Sequence, residues 1–295
     1  MGNVLDGKFI ASEIKREVKE EVANMRYSPN LAVILVGDDA ASQVYVRSKH
    51  KACAEVGINS MQITLSAETT EKELISKIIE LNADDDVHGI LVQLPLPRHI
   101  NTENIISMID PRKDVDGFTI DSKFTPCTPK GVMKLLDSTR NYDLQGKTAL
   151  VIGRSDIVGK PAAKLLLEKN CTVIQAHSKT PKEVLLRMFS VSDIVVSAVG
   201  KCEVISEEDA YQYRKDNRHD FYGDFKNRRN RVIIDVGINR DKNYKLCGDF
   251  SEGFKQTYSE YYTPVPGGVG PMTIAMLLEN TVEAAKNLEN CRYSG

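Results

Sequence analysis

The stretch Thr148–Ala163, TALVIGRSDIVGKPAA, contains an apolar strand, a glycine turn and the start of a helix. The apolar run stops at Gly153, and Pro161 precedes a helical pattern rich in Ala and Leu. A dinucleotide-binding βαβ unit begins in this order, because the turn brings backbone close to a pyrophosphate and the helix N-terminus offers free N–H groups. However, Gly153 and Gly159 are six residues apart, and Ser155 stands where G-x-G-x-x-G has its second glycine. The motif alone therefore fits an ordinary strand-to-helix turn equally well.

The residues after the next strand indicate which dinucleotide would bind. An NAD site normally carries Asp or Glu about 20 residues further on, where it holds the ribose 2′-hydroxyl. The segment Gln175–Thr180 contains no acidic residue. Arg154, Ser178 and Lys179 can instead bind a 2′-phosphate, by charge and by hydrogen bonding. If a dinucleotide binds here, the sequence favours NADP over NAD.

The bulk composition excludes several classes of protein. A chain of 295 residues is long enough for two domains, and 41% hydrophobic and 27% charged residues are typical of a globular protein. A net charge of −2 gives no global attraction to nucleic acid or to anionic membranes. No apolar run approaches the ~20 residues of a membrane span, and we recognise no secretory signal. Six dispersed cysteines and five histidines without ligand spacing predict a cytoplasmic protein with reduced thiols and no metal site.

The first part of the chain alternates between helical and strand patterns. It reads as a helix from Phe9 to Met25, a strand Leu31–Val36, a helix capped by Ser42 and closed by Gly57, a strand Met61–Leu65, a helix opened by a Thr70/Glu73 capping box, and a strand Gly89–Val92. Apolar strands that alternate with helices predict a mainly parallel sheet.

The second part repeats this alternation after a proline-rich passage. It reads as a helix capped by Thr128, the strand and helix of Thr148–Ala163, a strand Cys171–Ile174, a helix opened by a Thr180/Glu183 capping box, and strands Ile194–Ala198 and Val232–Val236. The predicted domain boundary lies between about Phe118 and Gln145. We therefore predict an α/β protein with two domains, an N-terminal α/β domain and a Rossmann-like dinucleotide-binding domain.

The segment Gly200–Arg231 departs from this pattern. Between Tyr211 and Arg231 it contains five aromatic residues and a set of basic residues, namely Arg214, Lys215, Arg218, Lys226, Arg228, Arg229 and Arg231. Basic residues interleaved with aromatic ones are also typical of single-stranded nucleic-acid sites. Four aspartates dilute the charge, so a solvated surface excursion is the favoured interpretation and nucleic-acid binding is not expected.

Two further patterns are candidates for chemistry. Tyr45 and Lys49 are four residues apart on a predicted helix and share a face, although such a pair is also common on surfaces. Gln93 follows a buried strand, where open α/β sheets place ligands, and Asp116 lies in a glycine-containing turn. The segment Thr263–Thr273 contains three glycines and three prolines, which favours a stiff binding loop over a simple tight turn.

Six sequence blocks carry a family resemblance when they are taken together. In order they are Tyr45–Lys49 (YVRSK), Gly89–Pro97 (GILVQLPLP), Lys113–Phe118 (KDVDGF), Pro126–Pro129 (PCTP), Gly153–Pro161 (GRSDIVGKP) and Pro264–Thr273 (PVPGGVGPMT). From about Leu5 to Leu288 the chain closely resembles the bifunctional methylenetetrahydrofolate dehydrogenase/methenyltetrahydrofolate cyclohydrolase family. The basic segment is longer than the connection usual in that family.

The resemblance implies a fold and an activity. It implies a folate-binding catalytic domain of residues 1–120 plus 273–295 and an NADP-binding Rossmann-like domain of residues 121–272, flanking a cleft. It also implies a homodimer formed through the cofactor domain. The activity would be NADP-dependent oxidation of 5,10-methylenetetrahydrofolate and hydrolysis of the product to 10-formyltetrahydrofolate, in one-carbon metabolism and purine biosynthesis.

The resemblance also assigns roles to individual residues. Lys49 matches the catalytic lysine, Tyr45 a tyrosine that stacks on the folate, Gln93 a residue that tunes the lysine, and Asp116 the acid that anchors the pterin. Positions matching cofactor contacts are Gly153, Arg154, Ser155, Ser178 and Ile238. Further positions matching substrate contacts are Val92, Leu94, Pro266, Gly267, Gly268, Val269 and Gly270.

Two alternatives remain open from the sequence. One is a non-catalytic NADP-binding or RNA-binding protein that uses the basic segment, and the other is an NADP-linked dehydrogenase for a different small substrate. The joint presence of Lys49, Gln93 and Asp116 argues against the first.

Overall fold

The computed structural model describes residues 2–139, 142–216 and 231–293. The chain divides into two compact units. Unit 1 comprises Met1–Ile10 and Thr128–Thr273, and unit 2 comprises Ala11–Cys127 and Ile274–Gly295.

The elements follow one another in an alternating order. The first half contains β1 (Asn3–Val4), α1 (Gly7–Ala23), β2 (Asn30–Val36), α2 (Ala40–Val56), β3 (Asn59–Leu65), α3 (Glu71–Ala83), β4 (Gly89–Val92), α4 (Thr102–Ser107) and α5 (Cys127–Asp137). The second half contains β5 (Thr148–Ile152), α6 (Gly159–Glu168), β6 (Thr172–Ala176), α7 (Lys182–Val191), β7 (Ile194–Ser197), α8 (Glu207–Asp216), β8 (Val232–Asp235), β9 (Asn239–Arg240), β10 (Leu246–Cys247), α9 (Glu252–Tyr258), β11 (Tyr261–Tyr262) and α10 (Val269–Tyr293).

Unit 2 contains a three-stranded parallel sheet with the order β3-β2-β4. All residues of β4 are buried, as are all but the first of β2, because apolar side chains cover both faces. The chain leaves β2 on one side toward β3 and returns on the other side as β4, so the connections reverse between β2 and β4. Open α/β sheets bind their ligands outside the carboxyl ends of the strands at such a reversal.

Unit 1 contains a six-stranded sheet with the order β1-β11-β8-β7-β5-β6, in which every neighbouring pair is parallel. The connections reverse between β5 and β7, directly beside the glycine turn. The strands β9 and β10 form a separate antiparallel hairpin. The predicted α/β class with a mainly parallel, Rossmann-like sheet is confirmed.

The N-terminal residues belong to a different unit from the one expected. The predicted folate domain includes residues 1–10, whereas β1 pairs with β11 at the edge of the six-stranded sheet. The N–H of Asn3 donates to the carbonyl of Glu260, and the N–H of Leu5 to that of Tyr262. An edge strand contributed from a distant part of the chain leaves no local signal in the sequence. The other two boundaries of the units fall after Cys127 and Thr273.

The predicted N-terminal caps of α3 and α2, Thr70 and Ser42, have different outcomes in the structure. The Thr70/Glu73 capping box is present, with both reciprocal hydrogen bonds. The prediction that Ser42 caps α2 is wrong, because the Asp39 carboxylate accepts the N–H of Ser42 at 2.7 Å and is the cap. Ser42 itself is buried in the first turn of the helix. Both residue types are good caps, so the sequence leaves the choice open.

The Thr180/Glu183 capping box is absent. The hydroxyl of Thr180 accepts the N–H of His177, and α7 begins after Pro181 without a side-chain cap. The Thr180 hydroxyl thus bonds to the backbone of the preceding turn and does not cap α7. Short hydroxyl side chains often form such local hydrogen bonds with the backbone.

Three helices begin two residues before a proline. The first residues of α5, α6 and α10 are Cys127, Gly159 and Val269, and the prolines are Pro129, Pro161 and Pro271. Each proline lies in the first turn, where its missing N–H removes no intrahelical hydrogen bond. The predicted cap Thr128 lies inside α5, where its hydroxyl hydrogen-bonds that of Thr273 at 3.0 Å.

Within the described ranges, no helix has the length and apolar character required to cross a membrane. In those same ranges no three or more His, Cys, Asp or Glu residues gather in a group that could hold a metal ion.

The basic segment is only partly a surface excursion. Helix α8 lies within it, and Ala210 and Tyr213 pack in the core of unit 1. Arg231 is fully buried. The expectation of a solvated segment is therefore wrong for both of its ends, while Arg218, Lys226, Arg228 and Arg229 lie outside the described residues.

Arg231 secures the end of α7. Its guanidinium donates to the carbonyls of Phe189, Ser190 and Ser192, at 3.1, 3.3 and 3.0 Å, and to that of Tyr258 at 3.2 Å. It also lies over the Phe189 ring, 4.3 Å from the centroid. The last carbonyls of a helix have no intrahelical partners and carry partial negative charge. The buried guanidinium supplies both the missing hydrogen-bond donors and a compensating positive charge.

We predict that Arg231→Met lowers the free energy of unfolding by about 2–4 kcal/mol, because buried carbonyl oxygens lose their donors. Urea denaturation measures the change. Arg187→Met, at an exposed position of α7, is the matched control and is expected to change stability by less than about 0.5 kcal/mol. Equal stability of the two variants would contradict the structural role of Arg231.

Candidate active site

Helix α2 carries two of the residues that the sequence singles out. Asp39 caps its first turn, and Gly57 ends it in the left-handed conformation with φ 86°. Tyr45 and Lys49 lie one turn apart on the same face. Tyr45 is 41% exposed, whereas Lys49 is half-buried.

Lys49 is paired with a residue from the end of β4. Its Nζ donates to Oε1 of Gln93 at 2.9 Å. The Gln93 N–H donates to the Ile34 carbonyl at 2.8 Å, which extends the pairing of β4 with β2 by one residue. The Gln93 side-chain Nε2 donates to the Leu94 carbonyl at 2.7 Å. With its amide nitrogen used in this way, Gln93 presents its carbonyl oxygen to Lys49.

Asp116 lies in a turn that Asp114 shapes. The carboxylate of Asp114 accepts the N–H groups of Gly117 and Thr119, at 3.1 and 2.7 Å. Gly117 has φ +77°, and a Cβ there would lie 2.7 Å from the backbone nitrogen of Pro126, so no other residue fits. Burial raises the pKa of the Asp116 carboxyl above its usual value, and the positive charge of Lys49 opposes that increase.

The remaining candidate substrate residues fall into both units. The Val92 side chain is buried in the core of unit 2, and Leu94, half-buried, precedes a cis peptide bond to Pro95. The loop Pro266–Gly270 belongs to unit 1, where the Gly267 carbonyl accepts the N–H of Lys8 at 3.1 Å.

The glycine turn after β5 has no room for side chains. A Cβ on Gly153, which has φ +132°, would lie 2.6 Å from the carbonyl oxygen of Ala198, and one on Gly159 would lie 2.5 Å from the carbonyl oxygen of Gly153. The turn thus packs against the end of β7, and α6 starts tightly against the turn. This close approach fits a dinucleotide turn despite the missing second glycine.

Ser155 occupies the position of that missing glycine. Its hydroxyl accepts the N–H groups of Val158 and Gly159, at 3.2 and 3.3 Å, and so orders the start of α6. Arg154 is exposed within the same turn, and Ser178 is exposed after β6, the neighbour of β5. A cation and a hydroxyl are therefore accessible next to the ends of paired strands.

Sequence reasoning missed the carboxylate that organises this end of unit 1. Asp249 is fully buried and accepts hydrogen bonds from the Ser197 hydroxyl at 2.7 Å, the Lys201 N–H at 3.0 Å and the Asn239 amide at 3.0 Å. Asn239 directly follows Ile238, which is 51% exposed. The only signal in the sequence is a Gly-Asp pair at positions 248–249, after a short strand pattern.

Two family models match the chain. One is described as "Tetrahydrofolate dehydrogenase/cyclohydrolase, catalytic domain" and matches residues 5–116. The other is described as "Tetrahydrofolate dehydrogenase/cyclohydrolase, NAD(P)-binding domain" and matches residues 126–213 and 223–289. The gap between the last two ranges falls within the basic segment, which locates the departure from the family at residues 214–222.

The chain is similar to curated relatives over nearly its whole length. The "Bifunctional protein FolD" of Magnetococcus marinus is 46% identical, over 98% of this chain and 99% of the relative. The protein of the same name from Acetivibrio thermocellus is 48% identical, over 96% of each chain.

Solved structures agree with this similarity. A crystal structure of "Bifunctional Enzyme FolD-Methylenetetrahydrofolate Dehydrogenase/Cyclohydrolase" from Campylobacter jejuni has a TM-score of 0.86 and 44% identity, over 97% of this chain and 99% of that one. The Trypanosoma brucei enzyme, complexed with NADP cofactor and inhibitor, has a TM-score of 0.86 and 35% identity, over 97% and 98%. The chain, with its two α/β units and its paired Lys49 and Gln93, belongs to the tetrahydrofolate dehydrogenase/cyclohydrolase family.

Proposed function

We propose that Lys49, Gln93, Asp116 and Tyr45 carry out the chemistry of a bifunctional enzyme. This enzyme oxidises 5,10-methylenetetrahydrofolate with NADP and hydrolyses the 5,10-methenyl product to 10-formyltetrahydrofolate. The observation that carries the proposal is the hydrogen bond between Lys49, on α2, and Gln93, which directly follows β4. The alternatives raised by the sequence, a non-catalytic binding protein and a dehydrogenase for another substrate, gain no support from the family match.

The oxidation requires positioning more than acid or base catalysis. NADP, when bound, accepts a hydride from the methylene carbon. The two nitrogens adjacent to that carbon stabilise the resulting cation, so the protein supplies no base for this step. Tyr45, exposed on α2, offers its ring for stacking on the folate. Asp116 anchors the pterin, and a desolvated carboxyl gains more from hydrogen-bonded substrate groups than a solvated one does.

The hydrolysis requires a proton to be moved. Water attacks the methenyl carbon of the cationic substrate, and a proton must then leave the attacking oxygen. Lys49 assists this step either as the base that takes the proton or through its positive charge, and Tyr45, one turn away, relays the proton. Gln93 accepts a hydrogen bond from Lys49 and so fixes the direction in which Nζ points.

Unit 1 supplies the cofactor site. Gly153 provides the close backbone approach, and Ser155 orders the helix start beneath the pyrophosphate position. Arg154 and Ser178 bind the 2′-phosphate that distinguishes NADP from NAD, and Ile238 packs against the cofactor. The absence of an acidic residue in Gln175–Thr180 supports the same preference.

We also propose that the protein acts in the cytoplasm as a homodimer formed through unit 1, as the family resemblance implies. All six cysteines are free, which accords with a reducing compartment. Light scattering of the purified protein is expected to give twice the mass of one chain.

We predict that Lys49→Met separates the two activities. Methionine keeps the length of the lysine stem but has neither charge nor basicity, so hydrolysis should fall by about 10²–10⁴-fold, the usual cost of losing a general base. Hydride transfer should survive in substantial part. Both rates are measured on one preparation, with methylenetetrahydrofolate plus NADP and separately with methenyltetrahydrofolate.

Lys51→Met is the matched control, because Lys51 is an exposed residue of the same helix. It is expected to leave both rates near those of the parent protein, and binding of a folate analogue checks that each variant retains its site. Hydrolysis by Lys49→Met at the parent rate would refute the role of Lys49.

We predict that Arg154→Ala raises the KM for NADP by about 10–100-fold, the worth of a hydrogen bond to a charged group, and changes the KM for NAD far less. Steady-state kinetics with each cofactor measures both values. Arg187→Ala, exposed on α7, should alter neither KM. Equal increases for the two cofactors after Arg154→Ala would show that Arg154 does not contact the 2′-phosphate.

A further inference from the structure

Two cysteines that the proposed chemistry does not use lie next to each other in unit 1. Cys202 follows β7 in a loop, and Cys247 ends β10, 45 residues later in the chain. Their Sγ atoms are 3.0 Å apart, and both side chains are partly exposed. The sulfurs thus lie within about 1 Å of the bonded distance of a disulfide, which is about 2.05 Å.

The neighbourhood of Asp249 holds the two cysteines in place. The N–H of Lys201, one residue before Cys202, donates to Asp249 Oδ1 at 3.0 Å, and the N–H of Val199 donates to Oδ2 at 2.8 Å. Cys247 is the last residue of β10 and lies two residues before Asp249. One buried carboxylate therefore orders the backbone that leads to Cys202 and lies close in the chain to Cys247.

Solvent reaches the pair. Both cysteines line a cavity of about 690 Å³ that is open to the surface, together with Arg240, Lys242 and Lys245. A small oxidant can enter such a cavity and reach both sulfurs.

We propose that Cys202 and Cys247 form a reversible intramolecular disulfide when a peroxide oxidises the enzyme. This bond would fasten the β9–β10 hairpin to the loop after β7. It adds a modification site to the cofactor unit, separate from the residues assigned above to NADP and folate.

The reaction balances in two steps. The Cys202 thiolate attacks one oxygen of hydrogen peroxide, so that an S–O bond forms, the O–O bond breaks and hydroxide leaves to become water. The Cys247 sulfur then attacks the resulting sulfenic acid, the S–S bond forms, the S–O bond breaks and a second hydroxide leaves as water. Two thiols are oxidised by two electrons, and one peroxide is reduced to two waters. Dithiothreitol reverses the bond by thiol–disulfide exchange.

The surroundings of Cys247 affect the reactivity of its thiol. Burial, the neighbouring Cys202 sulfur and the negative charge of Asp241 raise the pKa of the Cys247 thiol to about 11. A thiol that holds its proton so firmly is a poor first nucleophile. We write Cys202 as the attacking residue and Cys247 as the resolving residue, and the disulfide that forms is the same in either order.

The first test maps the bond in the full-length protein. Native protein is treated with hydrogen peroxide, its remaining thiols are alkylated, and its peptides are analysed by mass spectrometry with and without dithiothreitol. We expect a linked pair of peptides containing Cys202 and Cys247, which disappears on reduction and is absent from both Cys202→Ser and Cys247→Ser. Cys291→Ser, at an exposed position of α10, is the matched control and should form the bond as the parent does. Alkylation of both Cys202 and Cys247 after peroxide, or their conversion to sulfinic acid without linkage, would overturn the proposal.

The second test asks whether the bond fits the native arrangement. A cross-link that closes a loop of this length restricts the unfolded chain, so peroxide should raise the Tm of the parent protein by several degrees. The same treatment should leave the Tm of Cys202→Ser unchanged. An oxidised parent protein with an unchanged or lower Tm would show that the bond distorts the unit, and this result would contradict the pre-organisation argued from Asp249.

Discussion

Parallel pairing of β4 with β2 is the constraint on which the arrangement of unit 2 depends. It brings the carboxyl end of β4 beside that of β2, and the Gln93 N–H continues the ladder onto Ile34. Helix α2 follows β2 at that edge, so Lys49 meets Gln93 although 44 residues separate them. The same geometry operates in unit 1, where the pairing of β5 with β7 presses Gly153 against Ala198. Each unit thus presents its proposed chemistry where its strand order reverses.

Buried charged side chains hydrogen-bond the loops that connect the strands and helices of unit 1. The carboxylate of Asp235 accepts the N–H groups of Gly237, Asp249 and Phe250. The side chain of Asp249 in turn orders the loop after β7. Arg231 donates hydrogen bonds to the carbonyls at the end of α7. Such groups are costly to bury, and each is satisfied here by several hydrogen bonds. The loops they hold carry Ile238 and the Cys202–Cys247 pair, so the same network links the proposed cofactor site to the proposed redox site.

Local signals in the sequence were reliable where local chemistry alone decides the outcome. The Thr70/Glu73 capping box formed, because both of its partners lie within one turn. The Thr180/Glu183 box did not form, because the turn at His177 uses the same hydroxyl. The sequence pattern places Arg231 in a solvated basic segment, because nothing in its neighbours along the chain reveals that buried carbonyls at the end of α7 and of Tyr258 accept its hydrogen bonds.

The sequence by itself determined the α/β class, the parallel sheets, the glycine turn after β5 and, through six ordered blocks, the family. These features are periodic or local, and residues close in the chain suffice to specify them. Tertiary structure alone decided that β1 joins the six-stranded sheet, that Gln93 faces Lys49, that Asp249 is an organising carboxylate and that Cys202 lies against Cys247. Each of these contacts joins distant parts of the chain, and its partner is selected only when the strands have paired and the loops have closed around buried groups.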